Sequence, residues 1–244
     1  MRVALYNQMF GLNGRSFWKN IIGHWAVHYQ RDPERIWRRA DISKTIDIIQ
    51  KSKAEIIGIV EVLEGQEKEL KKGLREKGYN FFYLGKGHKT KYSELYVQEL
   101  VASKIKGEQK DTEEWPVEHR LGGGGGFVHV YYPRQQFHLL LAHLGLRSRK
   151  YHLKQIDFLQ NYTRKLEGRV ILLGDFNLSY QSLKPHFLGF DLVSEEIKTC
   201  STTPIMNLFY NKDVDHILVR GFNKEKVGSL EGRSDHKLIY ADLK

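Results

Sequence analysis

Apolar residues recur along the chain in short runs that are rich in β-branched and aromatic side chains and are separated by polar turns. Runs of this length and composition are typical of buried β-strands. The predicted strands cover residues 3–6, 56–62, 81–84, 95–102, 127–132, 137–144, 170–173, 214–219 and 237–241.

Two further segments place apolar residues at helical spacing. One carries Ile42, Ile46 and Ile49, and the other carries Leu153, Ile156, Leu159 and Tyr162. Helices interleaved with many strands predict an α/β protein with layered sheets. The sequence shows no Pro/Ser linker, no break in composition and no internal repeat, so we expect residues 1–244 to form one domain.

Composition narrows the class of protein. The net charge is +10 and the pI is about 9.5, which favours an anionic partner such as nucleic acid, a phosphorylated metabolite or an anionic membrane surface. The single cysteine, Cys200, excludes an internal disulfide framework and suits a reducing compartment. The first residues lack a signal-peptide pattern and no apolar run reaches transmembrane length. We therefore expect a cytoplasmic protein without stable membrane insertion, and the sequence indicates no protein partner.

Two segments have alternative interpretations. Trp18, Ile22, Trp25 and Tyr29 are either the buried face of a helix or part of an aromatic and basic lip that contacts bases and phosphates. The glycine run at 122–126 is either a flexible turn before a strand or a backbone cradle for phosphate, and no P-loop Lys-Ser/Thr follows it.

Polar residues stand where several predicted strands end. Asn7, Glu61 and His143 each follow an apolar run. In the segment VILLGDFNLS, four aliphatic residues and a glycine are followed by Asp175 and Asn177. Burial explains the aliphatic residues but not the acid and the amide. Loops at strand ends of layered α/β folds converge on ligands, so we expect these side chains to form a site.

The residues before the last two strands complete the pattern. Asp215 stands at the start of one strand, and Asp235 and His236 precede the other. Carboxylate and amide oxygens are hard ligands that suit Mg²⁺ or Mn²⁺, and one cysteine is too few for a thiolate zinc site. Histidines add a proton acceptor and a donor near neutral pH. The set predicts metal-assisted attack on a phosphoester.

The blocks that carry these residues resemble the endonuclease/exonuclease/phosphatase superfamily, which has the deoxyribonuclease I-like fold. In family order they are RVALYNQ (2–8), AEIIGIVEV (54–62), LLLAHLGLRSRKYHLKQIDFL (139–159), VILLGDFN (170–177), DVDHILV (213–219) and SDHKLIYADL (234–243). The resemblance implies a four-layer α/β sandwich, in which two mixed β-sheets pack together and helices cover the outer faces.

The same resemblance implies a metal site and its surroundings. Glu61 would be the principal ligand of Mg²⁺ or Mn²⁺, with Asn7 and Asp235 close to the same ion. Asp175 would be a ligand or would orient the attacking water. Asn177 would donate to a phosphoryl oxygen and accept from the nucleophile.

Two histidines complete the implied machinery. His236 would be the base or a phosphate contact, held in its tautomer by Asp215. His143 would contact the phosphate or protonate the leaving oxygen. In some members of the family that histidine has an acidic partner, for which Glu94 and Glu99 are both candidates.

The chain departs from the better-defined branches of the superfamily. The residues after Asn7 do not follow the pattern of the abasic-site endonucleases, and the Trp-x-Asp-Arg block of the inositol phosphatases is missing. The generic His-containing branch remains. A basic stretch after His143, with Arg147, Arg149 and Lys150, is suited to a phosphate backbone.

Three functional hypotheses follow. The first is a metal-dependent nuclease that acts on DNA or RNA, which the charge favours. The second is the same chemistry on a small-molecule or lipid phosphoester. The third is a basic nucleic-acid-binding protein that no longer catalyses, which has no need of so complete a set of polar residues.

Overall fold

The structure is a computed structural model that describes residues 1–12, 40–90, 95–113, 126–145, 149–195, 197–200 and 212–244. The aromatic segment with Trp18, Ile22, Trp25 and Tyr29 lies outside these ranges, as does the glycine run apart from Gly126.

One mixed sheet is built from both ends of the chain. Its strands in the described ranges are β1 (Arg2–Asn7), β2 (Ile56–Leu63), β3 (Phe81–Leu84), β4 (His88–Lys89), β5 (Tyr96–Ser103), β12 (Lys224–Glu231) and β13 (Lys237–Leu243). Their spatial order is β12-β13-β1-β2-β5-β3, and β4 also pairs with β5. The β1–β2 pair is parallel, while the other pairs are antiparallel.

The second mixed sheet uses the middle of the chain. Its strands in the described ranges are β6 (Glu108–Glu113), β7 (Gly126–Tyr132), β8 (Phe137–His143), β9 (Arg169–Asp175), β10 (Asp191–Leu192) and β11 (Asp215–Arg220). Their order is β10-β11-β9-β8-β7-β6. Again one pair, β8–β9, is parallel.

Helices cover the outer face of each sheet. The α-helices of the described ranges are α1 (Ile42–Ser52), α2 (Gln66–Arg75), α3 (Arg149–Arg164) and the single turn α4 (Tyr180–Leu183). α1 and α2 pack on the first sheet, and α3 packs on the second. The predicted four-layer sandwich is therefore confirmed. Within these residues, no helix is both long enough and apolar enough to cross a membrane.

The two sheets face each other across an apolar core. Val3 and Leu5 of β1 point into this core, while Ala4 and Tyr6 point to the helices, as the alternation of a strand requires. Gly58 lies where the sheets approach closely, because a Cβ there would be 2.5 Å from Cδ1 of Leu141.

The predicted helices and strands are found with small shifts. β6 and β12 were not predicted because both are edge strands with polar sequences, and edge strands need no apolar face. In α3, Ile156 and Leu159 are buried as predicted, but Leu153 is 38% exposed. The apolar stripe of α3 is therefore narrower than its sequence indicates.

Candidate functional site

Polar strand ends from both sheets meet at one edge of the sandwich. In the first sheet, Asn7 ends β1 and lies beside the part of β2 that carries Glu61. In the second sheet, Asp175 is flanked in register by His143 on β8 and Asp215 on β11. All five residues were predicted for the site, and the sheet pairing brings them to the same edge.

Asp175 is the residue around which the others are arranged. It is 2% exposed. Its Oδ2 accepts a hydrogen bond from Nδ2 of Asn7 at 3.0 Å, and its Oδ1 accepts one from the backbone N–H of Asn177 at 3.0 Å. Burial raises the pKa of Asp175 above its usual value, and the nearby Asp215 carboxylate raises it further, against the effect of these donors and of the histidines.

The two amide side chains make structural contacts as well. Oδ1 of Asn7 accepts the backbone N–H of Met9 at 2.9 Å, so the amide turns its NH₂ group, a donor, to Asp175. Asn177 has a left-handed φ of 51° and donates from Nδ2 to the carbonyl of Leu144 at 2.7 Å. As placed, Asn7 orients a carboxylate, and its role as a metal ligand stays a prediction.

His236 and Asp215 form a buried pair. Nδ1 of His236 lies 2.6 Å from Oδ2 of Asp215, and Oγ1 of Thr199 accepts the backbone N–H of Asp215 at 3.1 Å, which holds the start of β11. Burial on its own lowers the pKa of His236, but Asp215 and the neighbouring Cys200 outweigh it, so that this pKa lies well above 6.5. The geometry is that of a carboxylate fixing the tautomer of an imidazole.

His143 reaches carboxylates of both sheets. It is buried, and its Nε2 lies 3.8 Å from Oε1 of Glu61 and 3.9 Å from Oδ2 of Asp175. Burial lowers the pKa of His143 to about 4, more than Asp175 raises it. The ring is therefore neutral at neutral pH, in contrast to His236.

Glu61 is presented by an irregularity in β2. The register with β5 shifts between Ile59 and Val62, and Glu61 has a left-handed φ of 57°. A bulge of this kind turns a side chain out of the normal alternation, and left-handed backbone at a non-glycine residue persists only where its surroundings hold it.

Two buried glutamines hold this bulge. Nε2 of Gln8 donates to the carbonyl of Glu61 and to Oε1 of Gln66, both at 3.2 Å. Gln66 in turn accepts the N–H of Leu63 at 3.1 Å and donates to the carbonyl of Phe10 at 2.7 Å. The sequence analysis missed both residues. Gln8 could have been identified from its position directly after Asn7, whereas no sequence feature marks Gln66 as part of the site.

Asp235 lies buried beside His236 in the loop before β13. Its Oδ1 accepts a hydrogen bond from the hydroxyl of Ser234 at 3.2 Å. The backbone N–H of Ser234 donates to the hydroxyl of Tyr6 at 3.2 Å, which anchors the loop to β1.

The donor set is suited to a divalent cation. Asp175, Asp215 and His236 each offer one ligand atom within 4.8 Å of the other two. Oδ1 of Asp215 is buried and accepts no hydrogen bond from the described residues. Two neighbouring carboxylates in a low dielectric repel each other, and a cation that binds oxygen would offset that cost.

This group differs from the predicted ligands, which were Asn7, Glu61 and Asp235. Asn7 donates to Asp175 and Glu61 lies 3.8 Å from His143, so both stand at the same edge as this group, and Asp235 directly precedes His236 in the sequence.

Some predicted site residues lie beyond what the structure describes. Arg147, predicted for substrate contact, and Glu94, a candidate partner of His143, fall outside the described ranges. Arg149 and Lys150 begin α3, and only their backbone is described.

Glu99, the other candidate partner of His143, is placed between the sheets. Its side chain is fully buried close to Gly85 and Val128, and neither carboxyl oxygen has a hydrogen-bond partner among the described residues. Burial raises the pKa of Glu99 to about 8. A carboxyl group with this pKa is mostly protonated at neutral pH, and Glu99 makes no hydrogen bond to His143.

Comparisons with known proteins agree with this geometry. A family model described as the Endonuclease/Exonuclease/phosphatase family matches residues 23–236. The search of curated proteins finds no match.

Solved structures match the whole chain at low identity. A mannosyl-6-phosphatase from Bacteroides thetaiotaomicron VPI-5482 has a TM-score of 0.67 and 18% identity, over 100% of this chain and 99% of that one. Humanized D. rerio TDP2 has a TM-score of 0.66 and 16% identity, over 100% and 98%. D. rerio TDP2 complexed with a single-strand DNA product has a TM-score of 0.62 and 15% identity, over 100% and 98%. At such identities the likeness shows the fold alone.

The glutamine pair generates a prediction about metal affinity. In Gln8→Ala the carbonyl of Glu61 loses its donor, so the bulge should relax and the carboxylate should move. Outer contacts of this kind typically change metal affinity about tenfold or more. Calorimetric titration with Mn²⁺ in the absence of substrate should show that loss. Gln109→Ala, which alters an exposed glutamine on β6, is the matched control. Unchanged Mn²⁺ affinity in a folded Gln8→Ala protein would contradict the role.

Glu99 generates a prediction about stability. The folded protein keeps a proton to about pH 8 that an unfolded chain releases near 4.5. Stability linked to this group is complete below 4.5 and is lost as the pH rises through about 8. Glu99→Gln stays neutral, so its free energy of unfolding should increase relative to that of the parent as the pH rises. Urea unfolding from about pH 5 to about pH 9 measures this, with the exposed Glu76→Gln as control. Parallel pH profiles would show that Glu99 is ionised when folded.

Proposed function

The chain belongs to the endonuclease/exonuclease/phosphatase family, and we propose that it is a divalent-metal-dependent phosphodiesterase that cleaves DNA or RNA. The observation that carries the proposal is the buried His236–Asp215 pair, at 2.6 Å, directly beside Asp175. A histidine with a raised pKa next to carboxylates at the meeting edge of two sheets is not required by packing, whereas acid–base and metal-assisted phosphoester hydrolysis use such groups.

The metal would be Mg²⁺ or Mn²⁺. Glu61 and Asp235, with Asp175, supply oxygen ligands of the type these ions prefer, and Asn7 orients Asp175. Once bound, the ion neutralises negative charge so that a phosphate group can approach a cluster of carboxylates.

The other residues of the site have separate roles in the proposed reaction. Asp215 holds Nδ1 of His236 and raises its pKa, so this histidine acts as a cationic contact to the phosphate. His143 is neutral and donates a hydrogen bond to a phosphoryl or leaving oxygen. Asp175, fixed by Asn7 and by the N–H of Asn177, orients the attacking water.

Nucleic acid is the proposed substrate because of charge. The net charge of +10 suits a polyanion, and Arg147, Arg149 and Lys150 follow His143 in the sequence, where they are proposed to contact the phosphate backbone. Residues 1–244 are proposed to act as one catalytic domain. The same site on a small or lipid phosphoester is the competing function, and a binding protein without activity is the third.

A substrate panel tests the proposal. Plasmid, single-stranded DNA, RNA, a chromogenic phosphodiester and inositol phosphates are each incubated with Mg²⁺, with Mn²⁺ and with EDTA. We expect cleavage of nucleic acid and of the chromogenic diester with either metal and none in EDTA. Preference for inositol phosphates would favour the competing function, and full activity in EDTA would remove the metal from the mechanism.

The His236–Asp215 pair generates a kinetic prediction. Asp215→Asn should retain the fold but lower kcat about a hundredfold or more, roughly 3 kcal/mol of transition-state stabilisation. His236→Ala should lose at least as much, and the double variant little more than His236→Ala alone, because the two residues act as a unit. Single-turnover kinetics with the substrate identified by the panel measures kcat. Multiplicative losses, or rescue of Asp215→Asn by added Mg²⁺, would show that the residues act separately.

A further inference from the structure

A second concave surface lies at the opposite end of the first sheet from the carboxylates. It is formed by the end of α2, by β3 and by the turn between β5 and β6, and it encloses about 420 Å³. Phe81 pairs with Ser103, which pairs with Ile56 at the start of β2, whereas Glu61 is near the end of that strand. Five residues separate Ile56 from Glu61, about 17 Å along a strand.

The charge of this groove is of one sign. Lys71, Arg75 and Lys106 line it, and no carboxylate does. Lys71 and Arg75 are one helical turn apart on α2, while Lys106 comes from the turn after β5. None of the three makes an ion pair with an acidic side chain in the described part of the chain. Three cations around one depression repel each other, and an anion would relieve that repulsion.

The groove is also aromatic and is already formed. Phe81 and Phe82 line it and are only partly buried. The guanidinium of Arg75 lies over the ring of Phe82, 5.3 Å from its centre. The backbone N–H of Gly107 donates to the hydroxyl of Tyr83 at 2.6 Å, which fixes the turn that carries Lys106 against β3.

We propose that this groove, defined by Lys71, Arg75, Lys106 and Phe81, is a second nucleic-acid-binding site that holds a single-stranded segment. The phosphates lie among the three cations, and a base packs on the exposed part of Phe81. Cations that follow a backbone, with aromatic rings for the bases, are the means by which proteins bind single strands without reading sequence. The enclosed volume is in the range of a nucleotide-sized ligand.

Because the groove is separate from the catalytic edge, it should affect long substrates and not small ones. The inference rests on the proposed function in one respect, namely that nucleic acid is the substrate. A long strand can occupy the groove and the catalytic edge together, so the groove adds affinity for long substrates through effective concentration. A chromogenic diester reaches the catalytic edge alone and gains nothing.

Binding is tested without catalysis. A labelled single-stranded oligonucleotide of about 20 nucleotides is titrated in EDTA, and fluorescence anisotropy is followed at several salt concentrations. Lys71→Gln/Arg75→Gln/Lys106→Gln should weaken binding about tenfold or more and lower the salt slope by about 2, the value for three lost phosphate contacts on a single strand. The matched control is Arg164→Gln/Lys165→Gln/Lys224→Gln, which removes the same charge from exposed positions elsewhere. Thermal melts establish that both variants fold.

The outcomes separate the groove from the proposed function. Equal losses in the two triple variants, an unchanged affinity in the groove variant, or no binding by the parent would each overturn the groove. A loss of affinity in the groove variant but not in the control variant supports the groove. If neither the parent nor the variants hydrolyse the chromogenic diester, the phosphodiesterase proposal is overturned, but the groove is not. If hydrolysis occurs, the groove variant should cleave the diester at the parental rate and raise KM for the long strand only.

Discussion

The hydrogen bond from Nδ2 of Asn7 to Oδ2 of Asp175 joins the two sheets at the edge where the polar residues collect. The two residues are 168 positions apart, and both are almost wholly buried. A carboxylate removed from water is costly unless it is hydrogen-bonded and near opposite charge. The sheets must therefore stack in one register for the site to exist, and the contact of Gly58 with Leu141 in the core sets how closely they approach.

Burial lowers the pKa of both histidines, but their charged neighbours differ, so the net shifts of the two pKa values are opposite. His236 has the carboxylate of Asp215 at 2.6 Å, and its pKa rises well above 6.5. His143 stands 3.8 and 3.9 Å from the carboxylates of Glu61 and Asp175, too far to offset burial, and its pKa falls to about 4. One edge thus offers a cationic and a neutral imidazole at the same pH. Separated pKa values of this kind are how acid and base roles are assigned in enzymes.

The sequence allowed the layers and the polar strand ends to be predicted, because both follow from alternation of apolar residues and from polar residues that burial cannot explain. The edge strands β6 and β12 were not predicted, because their sequences are polar and show no alternation of apolar and polar residues. The acidic partner of His143 was not predicted from the sequence, and Glu99 makes no hydrogen bond to it; the structure places Glu99 beside Gly85 and Val128.

The least predictable feature is the backbone at the site itself. Glu61 and Asn177 both have left-handed φ angles, 57° and 51°, and such conformations cost of order 1–3 kcal/mol each in non-glycine residues. Asn177 is held by its N–H bond to Asp175, and Glu61 by the bonds of Gln8. The bond between Gln8 and Glu61 joins residues 53 positions apart, so no local pattern indicates it, whereas Asn177 and Asp175 are only two positions apart. These bonds hold the left-handed backbone from which the Glu61 carboxylate and the loop of Asn177 are presented at this edge of the sandwich.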